Sequence, residues 1–254
     1  MAIKMIVTDL DGTLLKTDKT VSEYTKTILR RCKESGIKLV YATGRGVSAD
    51  RLAPQELFDG KITMNGAIAK VGEDIVYNRL IPYQMARPVL TACDEHGIKI
   101  TSEHGGMHYS NFPVSDFWPT LTNFIITDFS QHELDAEKIY SPAPTPEQVA
   151  IIEKLLPGDI YSVITYDPTG DLLNIMHKEA TKSKAVSALA QLWGILPEEI
   201  VAFGDDLNDL DMLVYAGVGV AMGNALDAVK AVADEVCGVN EHDGIAKWLE
   251  DKVL

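Results

Sequence analysis

The sequence has few cysteines, and those it has are far apart. Cys32, Cys93 and Cys237 are the three cysteines among 254 residues, and no two of them form a Cys-x-x-Cys pair. Metal and redox sites built on sulfur normally use closely spaced cysteines, so neither is expected. Three free thiols are typical of the reducing cytoplasm, where disulfides are rare, and we expect a cytoplasmic protein.

Long hydrophobic runs are also missing. No apolar stretch reaches the roughly 18 residues that indicate a membrane-spanning helix. The N-terminal residues have no basic flank, no long apolar region and no small-residue cleavage site, so they do not resemble a signal peptide. We therefore expect no membrane partner. Residues 3–8 instead predict a short buried β-strand.

Basic residues are outnumbered by acidic ones. There are 23 Lys and Arg against 37 Asp and Glu, and the formal net charge is −14. An acidic surface repels phosphate backbones and anionic lipids, so nucleic acid is not an expected partner. Hydrophobic residues make up 46% of the chain, ample for a buried core. The sequence has no signal for an oligomeric state.

Strand and helix patterns alternate at the two ends of the chain. Short apolar, β-branched runs occupy residues 3–8, 37–42, 61–64, 200–203 and 218–221, and helix patterns lie between them. This alternation predicts right-handed crossovers and a parallel sheet. The fold class is therefore α/β, with a Rossmann-like parallel-sheet core.

The middle of the chain has a different pattern. Gly105-Gly106 and Pro168-Thr169-Gly170 each separate two strand patterns, and Thr145-Pro146 is typical of a helix start. We predict an inserted α+β cap domain over residues 82–177, whereas residues 1–81 and 178–254 together form the core. Insertion at a surface loop costs little free energy, and such a domain would act as a lid.

The strongest motif is Asp9-Leu10-Asp11-Gly12-Thr13, directly after the first strand. Ligands of open parallel sheets bind at the carboxyl ends of the strands. Two carboxylates one residue apart can divide the work, because one can attack phosphorus and the other can move the proton. An Asp-Gly turn after a strand is also common without any function, so this motif alone does not decide.

Two weaker motifs could bind a phosphate. Thr43-Gly44-Arg45 follows another strand and offers a hydroxyl and an unshielded N–H at the start of a short helix. Lys182 begins a helix and could neutralise both a phosphate and a carboxylate, with Lys184 as a rival for this role. Each motif alone is more often a turn or a solvated lysine.

An acid cluster, Gly204-Asp205-Asp206-Leu207-Asn208-Asp209, follows the strand at 200–203. Carboxylate oxygens are the ligands that Mg²⁺ prefers. Like-charge repulsion makes such a cluster costly unless a cation lies there. An acidic helix N-terminus would explain some of these residues, but less easily all of them.

The four motifs together, with Asn65-Gly-Ala and Ala221-Met-Gly-Asn-Ala, resemble the haloacid dehalogenase (HAD) superfamily, in particular its Cof-type branch, subfamily IIB. The resemblance spans nearly the whole core. It implies a phosphatase that requires Mg²⁺, forms an aspartyl-phosphate and acts on small phosphorylated metabolites, with sugar phosphates as the default class. One departure concerns Lys182, because Cof-type proteins usually have Gly after this lysine and here Ser183 follows.

Residue roles follow from the resemblance. It implies Asp9 as nucleophile and metal ligand, and Asp11 as acid and base with its backbone carbonyl on the metal. Asp205 would complete the metal site, and Asp209 would be a ligand or support one. The phosphate would be bound by Leu10, Thr43, Gly44, Lys182 and Asn208, and Asn224 would shape the same rim.

Two alternative functions stay open at this point. A phosphomutase of the same superfamily would pass the phosphoryl group to a second hydroxyl. A catalytically inactive regulator would bind phosphate without turnover, although the complete motif set argues against it. In the cap, His104, His108, Tyr109 and Asn111 could contact a substrate, but a polar hairpin exposed to water is the favoured explanation of them.

Overall fold

The computed structural model describes residues 2–167 and 170–254. The chain divides into two compact units. The core unit comprises the residues up to Asn78 together with Thr181–Leu254, and the inserted unit comprises Arg79–Ala180. The sequence places the boundaries of the insertion at 82 and 177, slightly inside those of the inserted unit.

The strands of the described residues form two sheets. In chain order they are Met5–Thr8 (β1), Lys38–Ala42 (β2), Gly60–Thr63 (β3), Ile68–Val71 (β4), Asp74–Asn78 (β5), Thr101–His104 (β6), Met107–Ser110 (β7), Phe124–Ile126 (β8), Lys138–Pro142 (β9), Ile160–Asp167 (β10), Gly170–His177 (β11), Ile200–Gly204 (β12), Val218–Ala221 (β13) and Glu235–Val236 (β14). The core sheet has the order β14-β13-β12-β1-β2-β3-β4-β5, and the sheet of the inserted unit has the order β10-β11-β9-β6-β7-β8.

The α-helices connect these strands or cover them. They are Glu23–Glu34 (α1), Tyr83–Glu95 (α2), Pro146–Leu155 (α3), Lys182–Trp193 (α4), Leu210–Tyr215 (α5), Asp227–Lys230 (α6) and Gly244–Lys252 (α7). Among the described residues, no helix has the length and apolar character that crossing a bilayer requires.

The core sheet is parallel from β14 to β3 and antiparallel from β3 to β5. Every residue of β1 and β12 is buried, as expected for strands covered on both faces. Ile28 of α1, Val186 of α4 and Leu249 of α7 belong to the same hydrophobic core. Burial of such side chains stabilises the fold by about 1.5–3 kcal/mol each.

The inserted unit has its own hydrophobic core. Leu90 of α2, Ile152 of α3 and Ile175 of β11 are buried in it. Helix α3 begins with the predicted cap, because the side chain of Thr145 accepts a hydrogen bond from the N–H of Gln148. Strands β10 and β11 pair antiparallel, as the sequence predicts. The predicted turn between them includes Pro168 and Thr169, which lie outside the described residues.

Several short elements differ from the prediction. The sequence does not predict β8 or β9, because three to five residues without regular alternation have little signal. The helix predicted for 225–233 is only α6, and the one predicted from residue 208 begins as a 3-10 turn at Leu207–Asp209 before α5. Element ends of this kind depend on tertiary contacts more than on local propensity.

Candidate active site

Three adjacent strands of the core sheet end at one edge. Strand β1 is parallel to both β2 and β12, and its last residue, Thr8, is in register with a residue of each. Asp9 follows β1, Thr43 follows β2 and Asp205 follows β12. The parallel register therefore brings the residues of three separate motifs to the same end of the sheet.

Lys182 joins two carboxylates inside the core unit. Its ammonium donates to Oδ1 of Asp9 at 2.7 Å and to Oδ1 of Asp209 at 2.5 Å, and its side chain is 0% exposed. Thr181 caps α4, so Lys182 is the first residue of this helix. Burial alone would lower the pKa of Lys182, but Asp209 and Asp9 outweigh it and raise the pKa. Lys182 is therefore a buried cation.

The surroundings of Asp9 contain more negative charge than the one positive charge of Lys182 offsets. Burial has the largest effect on the pKa of Asp9 and raises it. Lys182 lowers the pKa, whereas the nearby carboxylates of Asp209 and Asp205 raise it again. The net result is a pKa well above the usual value for aspartate. A further positive charge at this position would stabilise the ionised form of Asp9.

Both oxygens of Asp209 are occupied by bonds within the core unit. Its Oδ2 accepts from the backbone N–H groups of Asp205 at 3.0 Å and Asp206 at 3.1 Å, and its Oδ1 accepts from Lys182. Asp209 is 0% exposed. This carboxylate thus holds the turn after β12 in place and orients Lys182.

Asp205 is held by the first motif. The hydroxyl of Thr13 donates to its Oδ1 at 2.5 Å. Gly12 has φ +76°, and a Cβ atom there would lie 2.2 Å from Oδ2 of Asp205. Burial raises the pKa of Asp205 to about 6, with Thr13 opposing the rise. Only glycine allows the turn to approach this carboxylate so closely.

The carboxylate cluster fits a divalent cation. One oxygen each of Asp9, Asp205 and Asp209 lies within 4.8 Å of the others, and two of these residues are buried. The pKa values of Asp9 and Asp205 are raised, so positive charge in the core unit only partly stabilises their ionised forms. Hard oxygen donors of this kind suit Mg²⁺, which usually keeps several waters and takes one or two carboxylates.

The predicted phosphate-binding residues lie at the same end of the sheet as these acids. The hydroxyl of Thr43 accepts from the N–H of Arg45 at 3.1 Å, and Thr43 is buried. The side chain of Asn208 donates to Oδ1 of Asn65 at 2.9 Å. A Cβ atom on Gly44 would lie 2.7 Å from that same oxygen, so Asn65 connects the two predicted motifs.

Leu10 and Asn224 support the turn after β1. The Leu10 side chain is fully buried, and its carbonyl accepts from the N–H of Leu15 at 2.8 Å. The Nδ2 of Asn224 donates to the carbonyl of Gly12 at 2.8 Å.

The rival lysine, Lys184, is exposed. The structure brings Lys182 to the carboxylates of Asp9 and Asp209.

Asp11 is bound by two cations. Arg45 donates through Nε to Oδ2 and through Nη2 to Oδ1, the latter at 2.8 Å, and Lys19 Nζ donates to Oδ1 at 2.7 Å. Burial raises the pKa of Asp11, but the hydrogen bonds from Arg45 and Lys19 outweigh it, and the pKa is below its usual value.

The candidate residues of the cap lie in the inserted unit and have local partners. Nδ1 of His104 is 2.8 Å from the carbonyl of Asp135, and Nδ1 of His108 is 3.0 Å from the hydroxyl of Tyr140. Burial lowers the pKa of His108 to about 4. The ring of Tyr109 packs edge-on against His132. These contacts support the inserted unit's own structure.

Asn111 also has a local structural role. Its Oδ1 accepts from the N–H of Ile100 at 2.9 Å, and its Nδ2 donates to Asp94 and to the carbonyl of Ile98. All four residues lie in the inserted unit. Asn111 therefore connects the end of β7 to the segment before β6.

Several residues that contact or support the site were not predicted from the sequence. Lys19 lies in a turn and Asn240 begins the 3-10 turn Asn240–His242, and neither segment has a periodic sequence pattern. Arg45 and Asn65 stand in recognised motifs without an assigned role. Nδ2 of Asn240 donates to the carbonyl of Leu15 at 2.9 Å, a contact across 225 positions of the chain. For Arg45 and Asn65, their place directly after strand ends was a usable signal; for Lys19 and Asn240 there was none.

Comparison with known proteins agrees with this architecture. The pyridoxal phosphate phosphatase of Escherichia coli is 30% identical, and the alignment covers 100% of both chains. The 5-amino-6-(5-phospho-D-ribitylamino)uracil phosphatase of Bacillus subtilis is 28% identical over 97% of this chain and 96% of its own. A solved HAD subclass IIB sugar phosphatase is 27% identical, with a TM-score of 0.81 and 98% of each chain covered.

These similarities confirm the predicted fold class and the predicted enzyme class, a phosphoric monoester hydrolase. The family model of haloacid dehalogenase-like hydrolases matches residues 6–249. This match includes most of both segments of the core unit and all of the inserted unit. The chain therefore belongs to the haloacid dehalogenase-like hydrolase family.

Proposed function

We propose that the chain is a Mg²⁺-dependent phosphatase that hydrolyses small phosphorylated metabolites, with sugar phosphates as the first class to test, through an aspartyl-phosphate on Asp9. The observation that carries this proposal is the buried contact of Lys182 with Asp9 and Asp209, beside Asp205. A buried lysine that holds a carboxylate at a strand end suits attack on a dianionic phosphoryl group. The sugar phosphatase among the structural neighbours supports the substrate class.

In the first step, an oxygen of Asp9 attacks phosphorus. The bond from phosphorus to the ester oxygen breaks, and Asp11 gives that oxygen a proton, which releases the alcohol. Lys182 neutralises charge on the transferring oxygens. Thr43, Asn208 and the backbone at Leu10 and Gly44 would bind the remaining phosphate oxygens.

In the second step, water attacks the aspartyl-phosphate. Asp11 takes the proton from this water, the bond between phosphorus and the Asp9 oxygen breaks, and inorganic phosphate leaves. Asp11 then holds the proton that it gives to the next ester. Asp9, Asp205 and the carbonyl of Asp11 would hold the Mg²⁺, which supplies charge neutralisation to the phosphate. Asp209 would orient Lys182, since both its oxygens accept internal hydrogen bonds.

The test measures phosphate release from p-nitrophenyl phosphate and a panel of sugar phosphates, with Mg²⁺ and with EDTA. We expect release that depends on Mg²⁺ and that falls by roughly 10³-fold or more in Asp9→Asn, because the amide is not a nucleophile. Equal release by wild type and Asp9→Asn would contradict the covalent role of Asp9. Isomerised sugar phosphate in place of free phosphate would indicate a mutase.

The contact between Thr13 and Asp205 leads to a second expectation. Thr13→Val removes the hydroxyl that donates to Oδ1 of Asp205 and leaves the volume similar. Loss of a group that orients a metal ligand typically weakens metal binding by about 10–100-fold. We expect the Mg²⁺ concentration for half-maximal activity to rise within this range, while the rate at saturating Mg²⁺ changes much less.

A matched control is Thr27→Val, since the hydroxyl of Thr27 is exposed and donates to the carbonyl of Glu23 within α1. Its Mg²⁺ requirement should equal that of the wild type. An unchanged requirement in Thr13→Val as well would mean that Asp205 keeps its orientation without this hydrogen bond.

A further inference from the structure

We infer that Lys19 is a positioning residue for Asp11, an inference that rests on the proposed function and adds a residue to it. Lys19 lies in none of the motifs at the strand ends. Its ammonium donates to Oδ1 of Asp11 at 2.7 Å, the same oxygen that accepts from Nη2 of Arg45. Lys19 and Arg45 together hold both carboxylate oxygens from two different loops.

The turn that presents Lys19 is defined by its own hydrogen bonds. The N–H of Lys19 donates to the carbonyl of Lys16, and the N–H of Lys16 donates to the carbonyl of Thr20, both at 2.9 Å. Oδ1 of Asp18 accepts from the backbone and the hydroxyl of Thr20. Lys19 has φ +65°, a conformation that non-glycine residues adopt at a cost.

A distant segment of the chain anchors the same turn. The carboxylate of Glu241 accepts from the N–H of Thr17 at 2.6 Å, and Asn240 donates to the carbonyl of Leu15 at 2.9 Å. The N–H of Asn240 in turn donates to Asn224 at 3.0 Å. The turn that carries Lys19 is therefore tied to the rest of the core unit at its base.

An ordinary surface ion pair is the alternative explanation. The side chains of Lys19 and Asp11 are 47% and 34% exposed, and pairs of this kind contribute about 0–1 kcal/mol to stability. A free energy of unfolding in a Lys19 variant that equals that of the wild type fits both explanations. Kinetics distinguish them, because a positioning residue changes the steps in which Asp11 takes part.

The experiment uses Lys19→Met with p-nitrophenyl phosphate at saturating Mg²⁺. This ester has a good leaving group, so formation of the aspartyl-phosphate, which kcat/KM reports, needs little help from an acid. Hydrolysis of the aspartyl-phosphate still needs Asp11 as base. We expect kcat to fall by about tenfold, a part of the 10²–10⁴-fold that acid–base catalysis contributes, and kcat/KM to change by less than about twofold.

Four further variants make the test specific. Asp11→Asn should show the same pattern with a larger fall in kcat, and the double variant should be no slower than Asp11→Asn, because the two residues act as a unit. Lys19→Arg should recover most of kcat. Lys16→Met is the matched control from the same turn, as its ammonium lies 3.9 Å from Asp243, and it should keep the wild-type kcat.

The outcomes are distinct. An unchanged kcat in Lys19→Met, a fall in kcat/KM without a fall in kcat, or multiplied effects in the double variant would overturn the role of Lys19. Equal phosphate release by the wild type and Asp9→Asn would instead overturn the proposed function, whatever the result for Lys19. A midpoint of urea unfolding close to that of the wild type shows that the variant is folded.

Discussion

Lys182→Met should lower the free energy of unfolding by about 3–5 kcal/mol when Mg²⁺ is absent, and should abolish most turnover. The variant leaves two carboxylates, Asp9 and Asp209, in the interior without their shared cation. Removing one partner of a buried ion pair typically costs this much, because the remaining charge stays desolvated. Urea unfolding in EDTA measures the loss.

The loss should depend on pH. Burial raises the pKa of Asp9 and Lys182 opposes this rise, so without Lys182 the pKa of Asp9 in the folded protein should lie still further above the unfolded value of about 3.9. The folded variant then binds protons more tightly than the unfolded chain, so its stability falls as the pH rises. We expect a larger difference from the wild type at about pH 8 than at about pH 5.

Lys184→Met is the control for this prediction. Lys184 is two residues away on the same helix and is exposed, and a surface substitution usually changes stability by about 0.5 kcal/mol or less. Similar small losses in both variants would show that the buried ion pairs do not stabilise the core unit. A loss in Lys182→Met that did not depend on pH would contradict the protonation argument.

The sequence patterns that predicted the positions of the site residues are local. Residues 3–8 and 200–203 are strand patterns followed within two residues by acids, and parallel strands bring such ends together. Asp9 and Asp205 could therefore be placed near each other without a structure. The same argument reached Thr43, since it follows β2 directly.

The contacts that the sequence did not reveal are long-range. The turn after residue 16 has no periodic pattern, so neither the pairing of Lys19 with Asp11 nor the anchoring by Asn240 could be predicted. Similarly, the sequence cannot say which acid of a cluster faces inward. Hydrogen bonds from two backbone N–H groups to Asp209 make that distinction.

The need for glycine at a position near the site is also difficult to predict from the sequence. The motif Asn65-Gly66-Ala67 was recognised from the sequence, but the need for Gly66 comes from its neighbour in space. Gly66 has φ +100°, and a Cβ atom there would lie 2.2 Å from both the carbonyl carbon and the carbonyl oxygen of Thr181. Thr181 caps α4, so the backbone at Gly66 touches the start of the helix that carries Lys182.

Gly66→Ala should therefore lower both the stability and the activity strongly. A methyl group cannot be accommodated against backbone atoms unless α4 moves, and overpacking costs about 1–3 kcal/mol or more, in addition to about 1–2 kcal/mol for the left-handed conformation. A shift of α4 would displace Lys182 from Asp9. We expect a loss of about 3 kcal/mol or more in urea unfolding and a phosphatase rate reduced by at least roughly tenfold.

The matched control separates the steric contact from the backbone conformation. Gly72 also has a positive φ, +58°, but nothing lies within 4 Å of a Cβ atom there. Gly72→Ala should cost only the conformational part, about 1–2 kcal/mol, and should keep the wild-type rate. If the two variants lost the same stability and activity, the contact between Gly66 and Thr181 would not be what positions Lys182. A larger loss in Gly66→Ala, with Lys182-dependent turnover reduced only there, would support it.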